Sequence, residues 1–292
     1  MRITLDDTPD PAERRRLFAA IDAFNDAATG LTAPARPLAV VLRGADGRAE
    51  GGVLGISYYG WLIVEQVYLP PALRGHHMGT LLLRAAEGEA ARRGCHGIWL
   101  DTYSFQARPF YERLGFRQFG ELADFPPGHR RHFMARTTLR AWDAAPGLTV
   151  SDQIDPADQA AIDQALVAFN DQAAGPGPGR AGPLAVWAHD DAGMPQGGLW
   201  ARTGRGWMFV DQLILPPARR GAGLGRRMLA LAEQAAHARG CIGAWLDTFD
   251  FQAPGFYHRL GWREFGRLDD YPAGHARHFL FKRLDGPSAL AE

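Results

Sequence analysis

The sequence repeats itself once, with an offset of 146 residues. Residues 69–75 read Leu-Pro-Pro-Ala-Leu-Arg-Gly, and residues 215–221 read Leu-Pro-Pro-Ala-Arg-Arg-Gly. At the same offset, nine of the 13 residues in 94–106 are identical to those in 240–252. A period this long exceeds that of solenoid repeats, so it predicts two copies of a whole domain. We expect domains at residues 1–143 and 148–285, joined by the turn-prone linker 144–147.

Each copy has the residue pattern of a mixed α/β domain. Apolar residues on one face predict a helix over residues 11–27, and Gly94 marks the end of a second helix that begins at residue 79. Apolar runs bounded by turn residues predict the strands. The fold class expected is α/β, a mixed sheet flanked by helices, with these further elements in the first copy: strands 2–5, 38–42, 52–58, 61–69, 97–102, 116–121 and 132–138, and a short helix 107–114.

The composition excludes several classes of protein. Lys and Arg number 32 and Asp and Glu number 32, so the formal net charge is zero and no nucleic-acid or membrane partner is expected. No apolar run approaches ~18 residues, and the first residues lack the core of a signal peptide. A soluble cytoplasmic protein is therefore expected. Its two cysteines, Cys95 and Cys241, should be small buried residues rather than a disulfide.

A glycine-rich turn follows a strand-like run in the second copy. Residues 207–215 are apolar and of β type, and Pro216 and Pro217 end that run. Glycines at 221, 223 and 225 precede a stretch of strong helix formers. The first N–H groups of a helix lack partners within the helix, and glycine allows an anion to approach the backbone closely. This order predicts an anion site suited to a diphosphate.

The arrangement Arg220-x-x-Gly223-x-Gly225 behind Leu-Pro-Pro resembles the acyl-CoA signature of the GNAT superfamily of N-acyltransferases. The order of the predicted elements is also that of the superfamily, so the resemblance covers nearly all of both copies. It implies acetyl-CoA as co-substrate and no metal. The cofactor-binding residues that it implies are Leu213, Ile214, Leu215, Arg220, Gly221, Ala222, Gly223, Leu224, Gly225 and Arg226, with Val67, Leu69, Arg74, Gly75, His77 and Gly79 in the first copy.

The two turns differ at one position. His77 stands where the second copy has Gly223. Its Cβ would crowd a diphosphate, or its imidazole would face outward while the backbone N–H groups still bind. The second copy is therefore expected to hold the tighter acyl-CoA site.

The segments Phe-Tyr-Glu-Arg-Leu-Gly-Phe (110–116) and Phe-Tyr-His-Arg-Leu-Gly-Trp (256–262) resemble the tyrosine helix of the superfamily. In that family the tyrosine protonates the departing CoA thiolate, which nominates Tyr111 and Tyr257. A phenol is a competent donor when it lies within hydrogen-bond reach. The alternative is a tyrosine packed beside Phe110 or Phe256.

Three side chains are candidates for the general base. Glu65 and Asp211 lie amid apolar neighbours on the long strand, where the family's base often sits, and burial would raise the pKa of a carboxyl group. Each could instead occupy a solvated position, because strand residues alternate between faces. His275 titrates near neutrality and could also take the proton of an amine.

Four further residues are candidates for acceptor contacts. Asp101 and Asp247 end the buried strand, where an acidic group would suit a cationic amine or cap a turn. His129 and His278 belong to His-x-x-His pairs, which lack the further ligands of a metal site.

These patterns predict an N-acetyltransferase that transfers an acetyl group to a primary amine of a small molecule by direct attack. The alternative is a module that binds acyl-CoA without catalysis in one or both copies. We expect a monomer in which the copies form a pseudo-two-fold pair, with segments 129–136 and 275–281 at the seam.

Overall fold

A computed structural model describes residues 1–32 and 34–285 of the chain. It has the α/β architecture expected, with the elements of the first copy recurring in the second. In chain order they are β1 (Arg2–Asp6), α1 (Pro11–Thr29), β2 (Arg36–Arg43), β3 (Ala49–Tyr58), β4 (Trp61–Tyr68), α2 (Met78–Arg92), β5 (Gly97–Tyr103), α3 (Arg108–Arg113), β6 (Arg117–Ala123), β7 (Arg130–Arg136), β8 (Leu148–Ser151), α4 (Pro156–Ala174), β9 (Gly182–His189), β10 (Pro195–Gly204), β11 (Trp207–Ile214), α5 (Leu224–Ala238), β12 (Gly243–Phe249), α6 (Pro254–Arg259), β13 (Arg263–Asp269) and β14 (Ala276–Arg283).

The strands form two seven-stranded sheets with equivalent orders. The first sheet runs β6-β7-β5-β4-β3-β2-β8, and the second runs β13-β14-β12-β11-β10-β9-β1. Each sheet has one parallel pair at its centre, β4 with β5 and β11 with β12. In the second sheet this pairing stops at Val210 and Leu246, although both strands continue. The two strands therefore separate towards their carboxyl ends.

The two copies exchange their first strand and helix. β1 pairs with β9 of the second copy, and β8 pairs with β2 of the first. The helices follow their strands: Leu17 of α1 packs against Ala185, Trp187 and Trp200, whereas Ile162 of α4 packs against Val41 and Leu54. Each sheet is thus completed by a βα unit from the other sequence copy.

Local sequence explains why both exchanged helices start alike. Asp10 and Asp155 occupy the N-cap positions and accept hydrogen bonds of 2.8 Å from the N–H groups of Ala12 and Ala157. A carboxylate at this position satisfies one of the free N–H groups of the first turn. The proline that follows each cap suits the first helical position.

Because of the exchange, the predicted boundary at residues 144–147 separates the sequence repeats but not the folded units. Linker 144–147 precedes β8, which belongs to the same sheet as β7. The chain instead crosses between the sheets after α1 and after α4. Ranges 1–143 and 148–285 therefore describe the sequence repeat, while each folded unit contains residues of both ranges.

An aromatic cluster joins the two sheets, with contributions from both copies. Phe133 lies 5.3 Å from Trp245 between ring centroids, and Phe279 lies 5.3 Å from Trp99. The indole of Trp61 donates to the carbonyl oxygen of Asp270, and that of Trp207 donates to the carbonyl oxygen of Asp124. These exchanged contacts relate the copies by an approximate two-fold axis, and the predicted segments 129–136 and 275–281 lie at the seam.

Glycine allows the edges of the two sheets to approach at this seam. A Cβ at Gly120 would come within 3.0 Å of the carbonyl oxygen of Phe265, and one at Gly266 within 3.1 Å of that of Phe119. Cys95 and Cys241 are buried in separate cores, as expected. Among residues 1–32 and 34–285, no helix combines the length and apolarity needed to cross a membrane.

The exchange can be tested with cysteine pairs. Arg2 and His189 are Cα partners in the β1–β9 ladder, and cross-strand neighbours lie about 4.5–5.5 Å apart, within disulfide range. We expect a chain with Arg2→Cys and His189→Cys to form a disulfide on mild oxidation, detected by peptide mass mapping without reduction. The matched control is Arg2→Cys with Arg43→Cys, the pair that would form if β1 joined its own copy. A disulfide in the control alone would contradict the exchange.

Candidate active site

One cavity of about 1480 Å³ runs through the second copy and reaches the middle of the molecule. Its outer part is lined by the turn between β11 and α5, and its middle part by the separating ends of β11 and β12. Helix α1 of the first copy closes one side, and residues of β3–β5 line the inner end. The exchanged helix is therefore part of the wall of this cavity.

The turn before α5 has the geometry expected of an anion site. Gly221 and Gly223 have φ angles of 83° and 74°, a left-handed conformation that glycine adopts without strain. A Cβ at Gly223 would meet no atom within 4 Å. Arg220 donates from Nε to the carbonyl oxygen of Leu215 and stacks over Phe24 of α1, 4.9 Å from the ring centroid. No side chain caps the first N–H groups of α5.

Most of the predicted cofactor-binding residues of the second copy line this cavity. They are Leu213, Ile214, Leu215, Arg220, Gly221, Gly223, Leu224, Gly225 and Arg226, whereas Ala222 is outside the lining.

The turn of the first copy has the same backbone but does not reach this cavity. His77 has φ 60° and ψ 3°, close to the φ 74° and ψ 2° of Gly223. Arg74 repeats the contacts of its counterpart, since it donates to the carbonyl oxygen of Leu69 and stacks over Phe169 of α4. The lining contains none of Val67, Leu69, Arg74, Gly75, His77 or Gly79; Val67 and Leu69 pack against the first core.

The two predicted tyrosines differ in access. Tyr257 is partly exposed and lines the cavity near the separated strands. Tyr111 is only 7% exposed and packs within the first core. Burial raises the pKa of both hydroxyl groups, so each is protonated near neutral pH. Of these two tyrosines, Tyr257 lines the cavity and could donate a proton into it, whereas Tyr111 does not line it.

Two carboxylates lie at the inner end of the cavity, as the sequence predicts. Burial raises the pKa of Asp211, against the opposing effect of Arg202 and Arg14. Its Oδ2 atom is buried and has no hydrogen-bond partner among the described residues. Desolvation also raises the pKa of Glu65 against the opposing effect of the same two arginines, and the side chain of Glu65 opens into the cavity. Either group could accept a proton, and Asp211 lies in the copy that carries the anion turn.

The other two predicted aspartates are already paired. Asp247 accepts a 2.7 Å hydrogen bond from Nε of Arg277, and Asp101 accepts a 2.6 Å bond from Nε of Arg131. Both arginine side chains lie against the aromatic cluster of the seam. The aspartates line the cavity, but their oxygens anchor the arginines.

The predicted histidines lie outside the lining of this cavity. His275 contacts Asp250 through Nδ1 at 2.9 Å and packs on Phe251. His278 contacts Glu264 at 2.6 Å, and His129 packs on Phe105. Within the part of the chain that the structure describes, no group of three His, Cys, Asp or Glu side chains is placed to hold a metal ion.

A buried amide pair that the sequence reasoning missed ties α1 to this site. Gln252 donates from Nε2 to Oδ1 of Asn25 at 2.8 Å, and its Oε1 accepts from the hydroxyl of Thr248 and the N–H of Phe249. The first copy repeats the contact between Gln106 and Asn170, also at 2.8 Å. The recurrence of both residues in the repeat was the available signal. The cavity-facing Arg14 and Arg202 were also missed, and they differ between the copies.

Comparisons with known proteins identify relatives of this chain. The model of the acetyltransferase (GNAT) family matches residues 4–116 and 155–262. A blasticidin-S acetyltransferase of Streptomyces morookaense is 45% identical over 101 residues, which are 34% of this chain and 74% of that protein. An acetyltransferase of Agrobacterium fabrum is 37% identical over 135 residues, which are 46% of this chain and 97% of that protein. A crystal structure of an acetyltransferase from Bacillus cereus has 27% identity and a TM-score of 0.41, covering 45% of this chain and 94% of its own.

The raised pKa of Asp211 predicts a specific pH dependence of stability. The folded state holds the proton more tightly than the unfolded state, in which the pKa is about 3.9. The contribution of Asp211 to stability is therefore largest at low pH, and it falls as pH rises from the unfolded pKa through the folded one. We expect the free energy of unfolding of the wild type, relative to Asp211→Asn, to decrease over this window in urea titrations. The exposed Asp143→Asn is the control, and an increase with pH would contradict burial as the cause.

Proposed function

Because this chain belongs to the GNAT family of acetyltransferases, we propose that it transfers an acetyl group from acetyl-CoA to a primary amine of a small molecule in the cavity of the second copy. The observation that carries the proposal is the continuity of this cavity. Its lining includes Gly221, Gly223 to Arg226, the separated ends of β11 and β12, Tyr257 and Asp211. A donor site, a proton donor and a proton acceptor thus line one space.

The outer part suits the diphosphate of CoA. The space beside Gly223 is open, the first N–H groups of α5 have no side-chain cap, and Arg219, Arg220 and Arg226 line the cavity. Guanidinium groups and a helix N-terminus both favour negative charge. The backbone edges freed where β11 and β12 separate would hold the pantetheine arm by hydrogen bonds.

The reaction proposed is direct attack. The acceptor ammonium first gives a proton to Asp211, and the neutral amine forms a C–N bond with the thioester carbonyl carbon. The C–S bond breaks as the tetrahedral intermediate collapses, the amine nitrogen releases its second proton to solvent, and the thiolate takes a proton from Tyr257. The products are an N-acetylated amine and CoA, and Tyr257 regains its proton from solvent.

Asp211 is favoured over His275 as the base, since it lines the cavity and His275 does not. Burial supports this role because it raises the pKa of the carboxyl group towards the working pH, which makes it a stronger base than an exposed aspartate. Its unpaired Oδ2 leaves an acceptor free for the proton.

For the first copy we propose a structural role in place of catalysis. Tyr111 is buried, and the turn around His77 lies outside the shared cavity. The first copy nevertheless supplies α1, whose Phe24 and Asn25 contact Arg220 and Gln252. This copy would therefore serve the second by completing its site.

The experiment for the function is thiol release from acetyl-CoA with a panel of amines: amino acids, polyamines, and aminoglycoside and nucleoside antibiotics. We expect Tyr257→Phe to lower kcat by about 10²-fold or more, with little change in CoA affinity, since the hydroxyl acts when the thiolate leaves. Tyr111→Phe is the matched variant and should retain wild-type turnover. Wild-type kcat for Tyr257→Phe from about pH 6 to about pH 9 would remove this tyrosine from the mechanism. Failure to release thiol with any amine of the panel would contradict the function itself.

A second prediction concerns the two turns. Gly223→His should weaken CoA binding by at least about tenfold, or about 1.4 kcal/mol, because the new side chain would project into the proposed diphosphate space. The reverse change, His77→Gly, should leave CoA binding intact and relieve a left-handed conformation that costs about 1 kcal/mol outside glycine. Isothermal titration calorimetry measures both, and unchanged affinity of Gly223→His would contradict the assignment of the donor site.

A further inference from the structure

Two arginines beside Asp211 line the cavity without a carboxylate at hydrogen-bond distance. Arg14 of α1 and Arg202 of β10 lie 3.9 Å and 3.6 Å from Oδ1 of Asp211, beyond ordinary hydrogen-bond distance. Their side chains are 44% and 62% exposed, and both line the cavity. By contrast, Arg277 and Arg205 each hold an aspartate at 2.7 Å.

Aromatic rings hold the two guanidinium groups in place without using their N–H groups. Arg14 lies over Phe18 at 4.5 Å from the ring centroid, and Arg202 lies over Phe209 at 5.0 Å. Such stacking orients a guanidinium through its face and leaves the donors at its edge free. Neither group donates a hydrogen bond to another residue of the described chain. Both are therefore preorganised to bind an acceptor atom that enters the cavity.

Charges of both signs surround this point. Asp211 and Glu65 supply two carboxylates beside the two guanidinium groups, and Asp163 contacts the amide of Gln66. A ligand that bears only positive charge would meet Arg14 and Arg202 as repulsive neighbours. A ligand with both an ammonium and a carboxylate would have a partner for each group.

The equivalent positions beside the first sheet show that the fold does not require these arginines. The helices α1 and α4 align at their first prolines, Pro11 and Pro156, so Gln159 corresponds to Arg14. At the offset of 146, Ile56 corresponds to Arg202. Gln159 and Ile56 also line the cavity, near Glu65. The arginine pair lies beside the second sheet, where the cavity is also lined by the glycine-rich turn and Tyr257. Function at that end of the cavity explains this difference better than stability does.

We infer that the acceptor is an amine that also carries a carboxylate, which Arg14 and Arg202 bind at the inner end of the cavity. The planar guanidinium groups match a carboxylate, whose two oxygens can each accept from one arginine. The acceptor amine then lies between Asp211 and the donor thioester. This inference rests on the proposed function and names the class of acceptor for the same site.

The test compares acceptors with and without the carboxylate. The best acceptor of the amine panel is assayed beside its carboxamide, and L-lysine is assayed beside L-lysinamide and cadaverine. The variants are Arg14→Gln and Arg202→Ile, which install the residues found at the equivalent positions beside the first sheet. Arg16→Gln is the control, since Arg16 is exposed on the same helix and lies outside the cavity lining.

We expect the wild type to prefer the carboxylate form, and we expect Arg14→Gln or Arg202→Ile to lower that preference in kcat/KM by about ten- to a hundredfold, the range for a charged hydrogen bond. The loss should appear mainly in KM of the acceptor, and Arg16→Gln should keep the wild-type preference. A best acceptor without a carboxylate, or an unchanged preference in both variants, would overturn the inference while leaving the acetyltransferase activity in place. Absence of thiol release with every amine would instead contradict the proposed function.

Discussion

The site depends on the exchange of the first strand and helix between the copies. Helix α1 leaves its own half, packs Leu17 against Trp187 and Trp200, and presents Asn25 to Gln252 below the end of β12. Asn25 is 1% exposed, so its amide must find partners within the protein. The amide of Gln252 supplies one, and the same contact fixes the loop beside Tyr257. This hydrogen bond between distant parts of the chain thus links the exchanged helix α1 to the loop beside Tyr257.

The sequence repeat predicts most of the fold, but it does not predict this exchange. Local signals such as Asp10 before Pro11 predict where α1 begins, and the apolar face with Leu17 predicts that it packs on a sheet. Neither signal distinguishes one sheet from the other, because the two sheets are built from similar residues and offer equivalent edges. The choice lies in long-range contacts, such as Arg2 opposite His189, which a single sequence does not reveal.

The candidate site likewise contains some residues that the sequence predicts and others that it does not. The sequence predicts where the glycine-rich turn and Tyr257 lie because these positions follow from a local motif, and it predicts Asp211 from its apolar neighbours. His275 follows Tyr271-Pro272 in a loop. It packs on Phe251 and lies outside the lining of the cavity. Arg14 and Arg202 are ordinary surface arginines in the sequence. Only the folded chain brings them to the same carboxylate.

The exchange also links the two halves of the gene. A substitution within residues 11–29 alters the wall of a pocket that is also lined by residues of the second repeat, encoded almost two hundred codons or more later. After duplication, therefore, neither copy could diverge alone: selection on one pocket acts on the beginning of one repeat and on the body of the other. The difference between Arg14 and Gln159 is a trace of such paired divergence. An insertion or recombination at the midpoint of the repeat would separate residues that must meet.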